Sequence, residues 1–282
     1  MNDSGCIISA SRRTDIPAFY GEWFYQQVRQ GFVDVPNPFS GKSYRVSLKP
    51  EDVSAVVFWS KEYRPFLPIL EKIESIYQNR FLFHFTINGF QDHAKKYFEP
   101  FIPELTVSIQ TAKTLAARYG ADTLLWRFDP IIFSDISKPD ECLNTFQFIV
   151  GQLEGLTSRC YISFVDLYGK VSRRFERLSW EHSFQFSKPA FDQQIEFAQK
   201  LVNIARECGI AVFTCCEDEI GQAAGILKGH CIDADLLQRL YPDRQFTDEI
   251  KPTRKGCGCY ASRDIGAYNS CRHGCLYCYA SL

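Results

Sequence analysis

The chain has 282 residues, 45% hydrophobic and 15% aromatic, with a formal net charge of −1. That length and apolar content suit one α/β body with an appendage, and the balanced charge excludes a global pull toward nucleic acid or an anionic membrane. No window approaches the roughly 18 consecutive apolar residues that would span a bilayer.

Read from the N-terminus, "MNDSGCIISA" has an acid and no apolar run long enough for a secretory signal, so a cytoplasmic location and no membrane partner are expected. "CIISAS" (6–11) is a first strand, and the following "SASRRTDIPAF" offers Arg12, Arg13 and Asp15. "FYGEWFYQQVRQG" (19–31) is a helix stopped by its glycine. "VPNPFSGKSY" ends like a phosphate loop, but Pro36 stands where that loop needs glycine, and the stretch reads as a turn. "AVVFWS" (55–60) is the second strand. "FLFHFTI" (81–87) is the third, with His84 inside it and Asn88 just beyond. A helix over 106–120 also ends on glycine. The fourth strand, "TLLWRF" (123–128), brings Arg127 and Asp129, and the fifth, "CYISFVDL" (160–167), brings Ser163 and Asp166. The helix 191–208 places Phe191, Ile195, Ala198, Leu201, Val202 and Ala205 on one stripe. It precedes the sixth strand, "IAVFTC" (210–215), after which come Cys216 and Glu217.

Most of these runs are continuously apolar, as expected for parallel strands covered on both faces. Six strand–helix alternations imply right-handed crossovers, and their spacing allows either an open doubly wound sheet or a partial (β/α) barrel. In both, ligands meet the C-terminal strand ends. Arg12, Arg13, Asp15, His84, Arg127 and Asp166 are therefore candidate catalytic residues, and Asn88, Asp129, Ser163 and Glu217 candidate cofactor contacts. For any one of them a structural ion pair, Arg127 with Asp166 for example, is the alternative. The arginines favour an anionic or phosphate-bearing ligand.

Beyond 216 the periodicity dissolves into a cysteine-bearing tail, 217–282. Five of the twelve cysteines fall after residue 256, and in a reducing compartment such clustering points to metal or redox chemistry. Cys271, Cys275 and Cys278 are soft ligands at unequal spacing. Zinc sites usually use two separated Cys-x2-Cys pairs; this spacing instead suits three irons of a [4Fe–4S] cluster, with the fourth left open. Cys216, Cys231, Cys257 and Cys259 would make a further four-thiolate site, either a second [4Fe–4S] cluster or zinc, unless Cys216 and Cys231 are packing residues. Cys6, Cys142, Cys160, Cys208 and Cys215 read as core, and His230 and His273 as hydrogen-bonding neighbours.

The loop "CRHGCLYCYA" resembles the cluster loop of radical S-adenosylmethionine (SAM) enzymes, Cys-x3-Cys-x-aromatic-Cys, and most resembles the spore photoproduct lyase-like branch. Over nearly the whole chain, "SASRRTDIPAF", "VVFWSK", "WRFDP", "SFVDLYGK" and "CGCYASRDIGAYNSCRHGCLYCYA" are similar to a bacterial family catalogued as a domain of unknown function. The radical SAM resemblance implies that Cys271, Cys275 and Cys278 hold the cluster. The open iron would bind the SAM amine and carboxylate, and Tyr277 would approach adenine. A donor such as ferredoxin or flavodoxin would supply the electron that releases a 5′-deoxyadenosyl radical onto a small-molecule or nucleic-acid substrate. The implied fold is an α/β partial (β/α)6 TIM-like barrel over 1–216, its mouth covered by the iron–sulfur tail 217–282. Two features depart from that family: its cluster loop normally follows the first strand, and no Gly-Gly-Glu-like stretch follows "AVVFWSK". The competing reading is a metal-stapled (zinc or closed cluster) ligand- or nucleic-acid-binding module without SAM chemistry.

Overall fold

The computed structural model describes residues 5–37 and 40–281. Residues 1–4, 38–39 and 282 lie outside it, and with them the first residues of the expected non-signal N-terminus and part of the "VPNPFSGKSY" turn. In chain order the elements are β1 (Cys6–Ala10), α1 (Ile16–Phe19), α2 (Gly21–Gln30), β2 (Phe32–Pro36), β3 (Ser43–Ser47), β4 (Val53–Ser60), α3 (Leu67–Tyr77), β5 (Phe81–Thr86), α4 (Asp92–Phe98) and α5 (Leu105–Tyr119). They continue with β6 (Leu124–Ile131), β7 (Phe133–Ser134), α6 (Pro139–Leu153), β8 (Arg159–Phe164), α7 (Gly169–His182), β9 (Phe186–Ser187) and α8 (Phe191–Glu207). The last are β10 (Ala211–Thr214), α9 (Asp218–Ala224), β11 (Leu227–Lys228), α10 (Ala234–Leu240) and β12 (Arg263–Asp264).

Eight strands form one parallel sheet in the order β11-β10-β8-β6-β5-β4-β1-β12. Its six central strands are the six apolar runs, lying side by side in chain order. A doubly wound sheet reverses its order at a switch point; this one does not. Right-handed crossovers of one sense therefore carry the connecting helices to one face.

The strand residues confirm two covered faces. Ile8, Val56, Phe58, Phe83, Trp126 and Ile162 join Phe66, Leu70, Phe146 and Leu201 in the main core. Their neighbours Ile7, Ala55, Val57, Leu82, Leu125 and Tyr161 belong to a second cluster, closed by Ile232, Ala234, Leu236 and Leu237 and by four cysteines. Continuous apolar runs follow directly, since neither strand face meets water. The tail between residues 231 and 260 thus packs on the sheet's second face, while Ile220, Ile226 and Ile265 join the main core. Segment 217–282 also supplies both edge strands, β11 and β12, which do not pair with each other.

Local signals explain the rest of the tail. Asp233 caps α10 by accepting from the Leu236 amide at 2.8 Å, and pairs with Arg159 of β8 at 2.7 Å. In α8, Phe197, Ala198, Leu201 and Ala205 are buried. Phe191, expected on that stripe, is the helix's first residue and is exposed. Among the described residues no helix is long and apolar enough to cross a membrane.

Candidate functional site

The C-terminal ends of β1, β4, β5, β6 and β8 and the chain beyond 250 enclose a cavity of about 740 Å³, the size of a small-ligand or cofactor site. Arg12, Arg13, Asp15, His84, Arg127 and Asp166 all line it, as do Asp129, Ser163 and Tyr277 and all seven candidate metal-binding cysteines. Asn88 and Glu217 stand behind its wall.

On one side, the loop after β1 grips the C-terminal loop. Asp15 accepts from the Ala18 amide, the Ser60 hydroxyl and the Lys61 amide, and its Oδ2 meets His273 Nε2 at 2.7 Å. That places its carboxylate as an anchor for "CRHGC". The Thr14 hydroxyl donates to the Ala267 carbonyl at 2.7 Å, and the Tyr20 hydroxyl to Ser270 at 2.6 Å. Asp264 of β12 accepts from Ser9, Ser11, the Arg12 amide and the Arg13 guanidinium, at 2.7–3.1 Å. Burial opposes its charge, but these donors prevail and hold its carboxyl below the ordinary range. Arg12 lies 5.1 Å over the Trp59 ring, and its Nη2 is buried without a partner. A buried guanidinium nitrogen with nothing to bond is costly, and here it borders the cavity.

Arg127, which shares the Trp59 ring with Arg12, pairs with Asp129, not with Asp166. Asp129 follows two residues later on the same strand, whereas Asp166 lies past the end of β8 and reaches Arg254 of the tail at 3.0 Å. The Ser163 hydroxyl donates to Asp129. His84 stacks on Trp59 at 4.1 Å, and its Nε2 donates to the Cys231 carbonyl at 2.6 Å. Burial, then the Arg127 charge, drives its pKa well down, so the ring is neutral with an unpartnered Nδ1. Burial pushes the Glu217 carboxyl up to about 7, while it accepts from the Phe164 amide.

Behind Tyr277 stands a polar hub. Glu99, only 3% exposed, accepts from Tyr277, from Asn88 at 3.0 Å and from Lys61 at 2.7 Å. Burial works against the Lys61 charge, but Glu99 and Cys275 outweigh it and keep the ammonium protonated. Asn88 also binds Asp129 through its backbone. It positions two candidate residues without facing the cavity.

The thiols fall into two groups. Cys271, Cys275 and Cys278 all line the cavity, in one loop closed by the Cys278 amide on the Cys275 carbonyl at 3.1 Å. Their loop is fixed by the Leu276 amide on the Phe98 carbonyl at 3.0 Å and by Arg174 on the Leu276 and Cys278 carbonyls at 3.1 and 2.8 Å. Gly274, at φ +68°, makes the turn, where a side chain would be strained and would press on Phe101. In the second group, Cys215 touches Cys231 Sγ to Sγ at 3.3 Å. Cys215, expected in the core because it closes an apolar strand, is buried in the second-face cluster, and there its sulfur also meets that of Cys231. Among the described residues no group of three or more His, Cys, Asp or Glu side chains is arranged as it would be around a metal ion. The donor chemistry suits soft metals all the same: clustered thiols, with cations beside them. Glu99, Asp264, Trp59, Arg254 and Cys215 escaped the sequence reading. Of these only Arg254 and Asp264, lying close to the cysteine motifs, carried any signal.

Fold and site together define a parallel α/β protein with a thiol-lined cavity at its strand ends. The chain belongs to the family described as domain of unknown function DUF1848, whose pattern matches residues 7–280. No curated protein matches it. Among solved structures, a D-hydantoinase is similar at 8% identity and a TM-score of 0.32, covering 69% of this chain and 43% of its own. A D-hydantoinase from Bacillus sp. AR9 is similar at 9% identity and a TM-score of 0.30, covering 66% and 40%. The chain thus spans about two fifths of the length of these two.

Proposed function

We propose that this protein is an iron–sulfur enzyme of the radical SAM type. In this reading Cys271, Cys275 and Cys278 hold three irons of a [4Fe–4S] cluster, SAM occupies the cavity, and the sheet is a partial (β/α)6 barrel. The observation that carries the reading is the shared cavity. Three C-terminal thiols border the same space as the strand-end polar residues, among them the unpartnered Arg12 guanidinium.

The fold also bears on the displaced motif. The loop that follows the last strand in sequence follows, in the sheet, the strand beside β1, with which β12 is paired in parallel. The cluster loop thereby comes to the end of the sheet where the family's first-strand loop would lie.

The chain's own residues have separable tasks. Arg12, with Arg13 nearby, receives a carboxylate or phosphate in a site where a planar, permanently charged donor is most effective. Tyr277, its hydroxyl tied to Glu99 and Asn88, offers a fixed aromatic surface to adenine. Asp15 holds the cluster loop through His273. Asp129, supported by Ser163 and Asn88, keeps Arg127 in place. When bound, the cluster and SAM would supply one-electron cleavage of SAM to methionine and a 5′-deoxyadenosyl radical, with the electron drawn from a ferredoxin- or flavodoxin-like donor. That radical would take a hydrogen atom from an anionic substrate, leaving 5′-deoxyadenosine.

The test is anaerobic reconstitution with iron and sulfide, then addition of SAM and dithionite. Expected products are methionine and 5′-deoxyadenosine, both lost in Cys275→Ala. A protein that binds zinc but no iron, and forms neither product, would instead be the metal-stapled binding module.

A further inference from the structure

A second set of thiols lies together away from the C-terminal loop. Cys215 and Cys231 touch at 3.3 Å, Cys257 and Cys259 share their buried cluster, and Cys216 lines the same cavity. Cys215, Cys231, Cys257 and Cys259 are buried, at 3–8% exposure, whereas Cys216 is half-buried and sits at a positive φ of 60°.

Hydrogen-bond donors converge on these sulfurs. Arg127 Nη1 lies 3.2 Å from Cys231 Sγ, and Arg254 Nε lies 3.1 Å from Cys216 Sγ. The Ile232 amide donates to Cys259, and the Cys259 amide and Thr253 hydroxyl to Cys257, each at 3.5 Å. Arg12 and Arg127 both lie over the Trp59 ring, at 5.1 and 5.6 Å. A neutral thiol is a weak acceptor that needs no such company. Donors and guanidiniums aimed at sulfur stabilise thiolates, as the surroundings of metal-bound cysteines do.

We propose that Cys215, Cys231, Cys257 and Cys259 bind one zinc ion as a closed four-thiolate site. A single ion is favoured over a second cubane by the sulfur spacing. Tetrahedral Zn–S bonds of about 2.3 Å set neighbouring sulfurs about 3.8 Å apart, close to touching. A cubane would spread four thiolates over four separate irons, out of mutual contact, and the Cys215–Cys231 approach of 3.3 Å does not fit that. Burial selects Cys215 over Cys216, which remains a fifth thiol bonded to Arg254. The four ligands join the end of β10, the approach to α10 and the 257–259 segment, so the ion fastens the tail to the sheet face it covers. Binding releases the thiol protons, and the two guanidiniums of Arg12 and Arg127 offset the site's net double negative charge. The site stands independently of SAM chemistry.

Metal analysis of the full chain, purified anaerobically from zinc-supplemented cells, tests it. One zinc per chain is expected in the native protein, in Cys216→Ser and in Cys275→Ala, the last having lost iron only. Cys231→Ser and Cys259→Ser should lose the zinc. Should those two variants fail to fold, native protein stripped by a chelator and titrated with Co²⁺ decides the matter. It should take up one equivalent, show the charge-transfer and d–d bands of tetrahedral cobalt thiolate, and gain thermal stability. No such spectrum, loss of zinc in Cys216→Ser, or iron rather than zinc depending on Cys231 would overturn the assignment.

Discussion

Asp264 occupies a two-residue edge strand, yet it gathers Ser9, Ser11, the Arg12 amide and the Arg13 side chain. Removing its side chain would leave Arg13 only the backbone carbonyl of residue 264 and several donors without their carboxylate, a class of change that costs up to about 3–5 kcal/mol. Asp264→Ala should therefore lower the urea midpoint sharply and free the C-terminal loop to proteolysis, while Asp34→Ala, in an exposed pair with Arg45, should leave the midpoint nearly unchanged. At this scale the sequence was legible where chemistry is carried by a spacing or a strand end: Arg12, Arg127 and the cysteine motif meet at one cavity as their positions implied. Asp264 and Glu99 were not, because a lone acid in a loop looks solvated until the fold buries it. Cys215 is core, as its apolar strand implies, but its contact with Cys231 exists only in the fold.

The six central strands show why element-level reading worked: both faces of the sheet are covered, so apolar runs mark strands directly. What covers the second face was harder to see. α10 has only seven residues, too few for a clear helical period, and β12 has none. Leu237 is nevertheless fully buried against that face. Leu237→Ala should destabilise the protein by about 2–5 kcal/mol, whereas Leu227→Ala, on the exposed edge strand β11, should change it by less than about 0.5 kcal/mol. Equal effects in chemical denaturation would mean that α10 is not part of the core. Gly266 marks another close approach, because a Cβ there would overlap Ser11. Only the parallel pairing of β12 with β1 brings those residues together.

Over the whole molecule, the non-reversing strand order fixes where the chain's two ends meet. β1 and β12 are neighbours, and the last cysteines come to the loop that follows the first strand. The tail also covers Ile7, Val57, Leu82 and Leu125, so residues 1–216 alone should expose an apolar sheet face, bind a hydrophobic dye and aggregate. The central claim is that the last three cysteines leave one iron open toward the cavity. The most direct test is electron paramagnetic resonance of the reduced, anaerobically reconstituted protein with and without SAM. SAM should alter the cluster spectrum of the native protein, and Cys275→Ala should have no such signal to alter. A reduced cluster whose spectrum is the same with saturating SAM would contradict it.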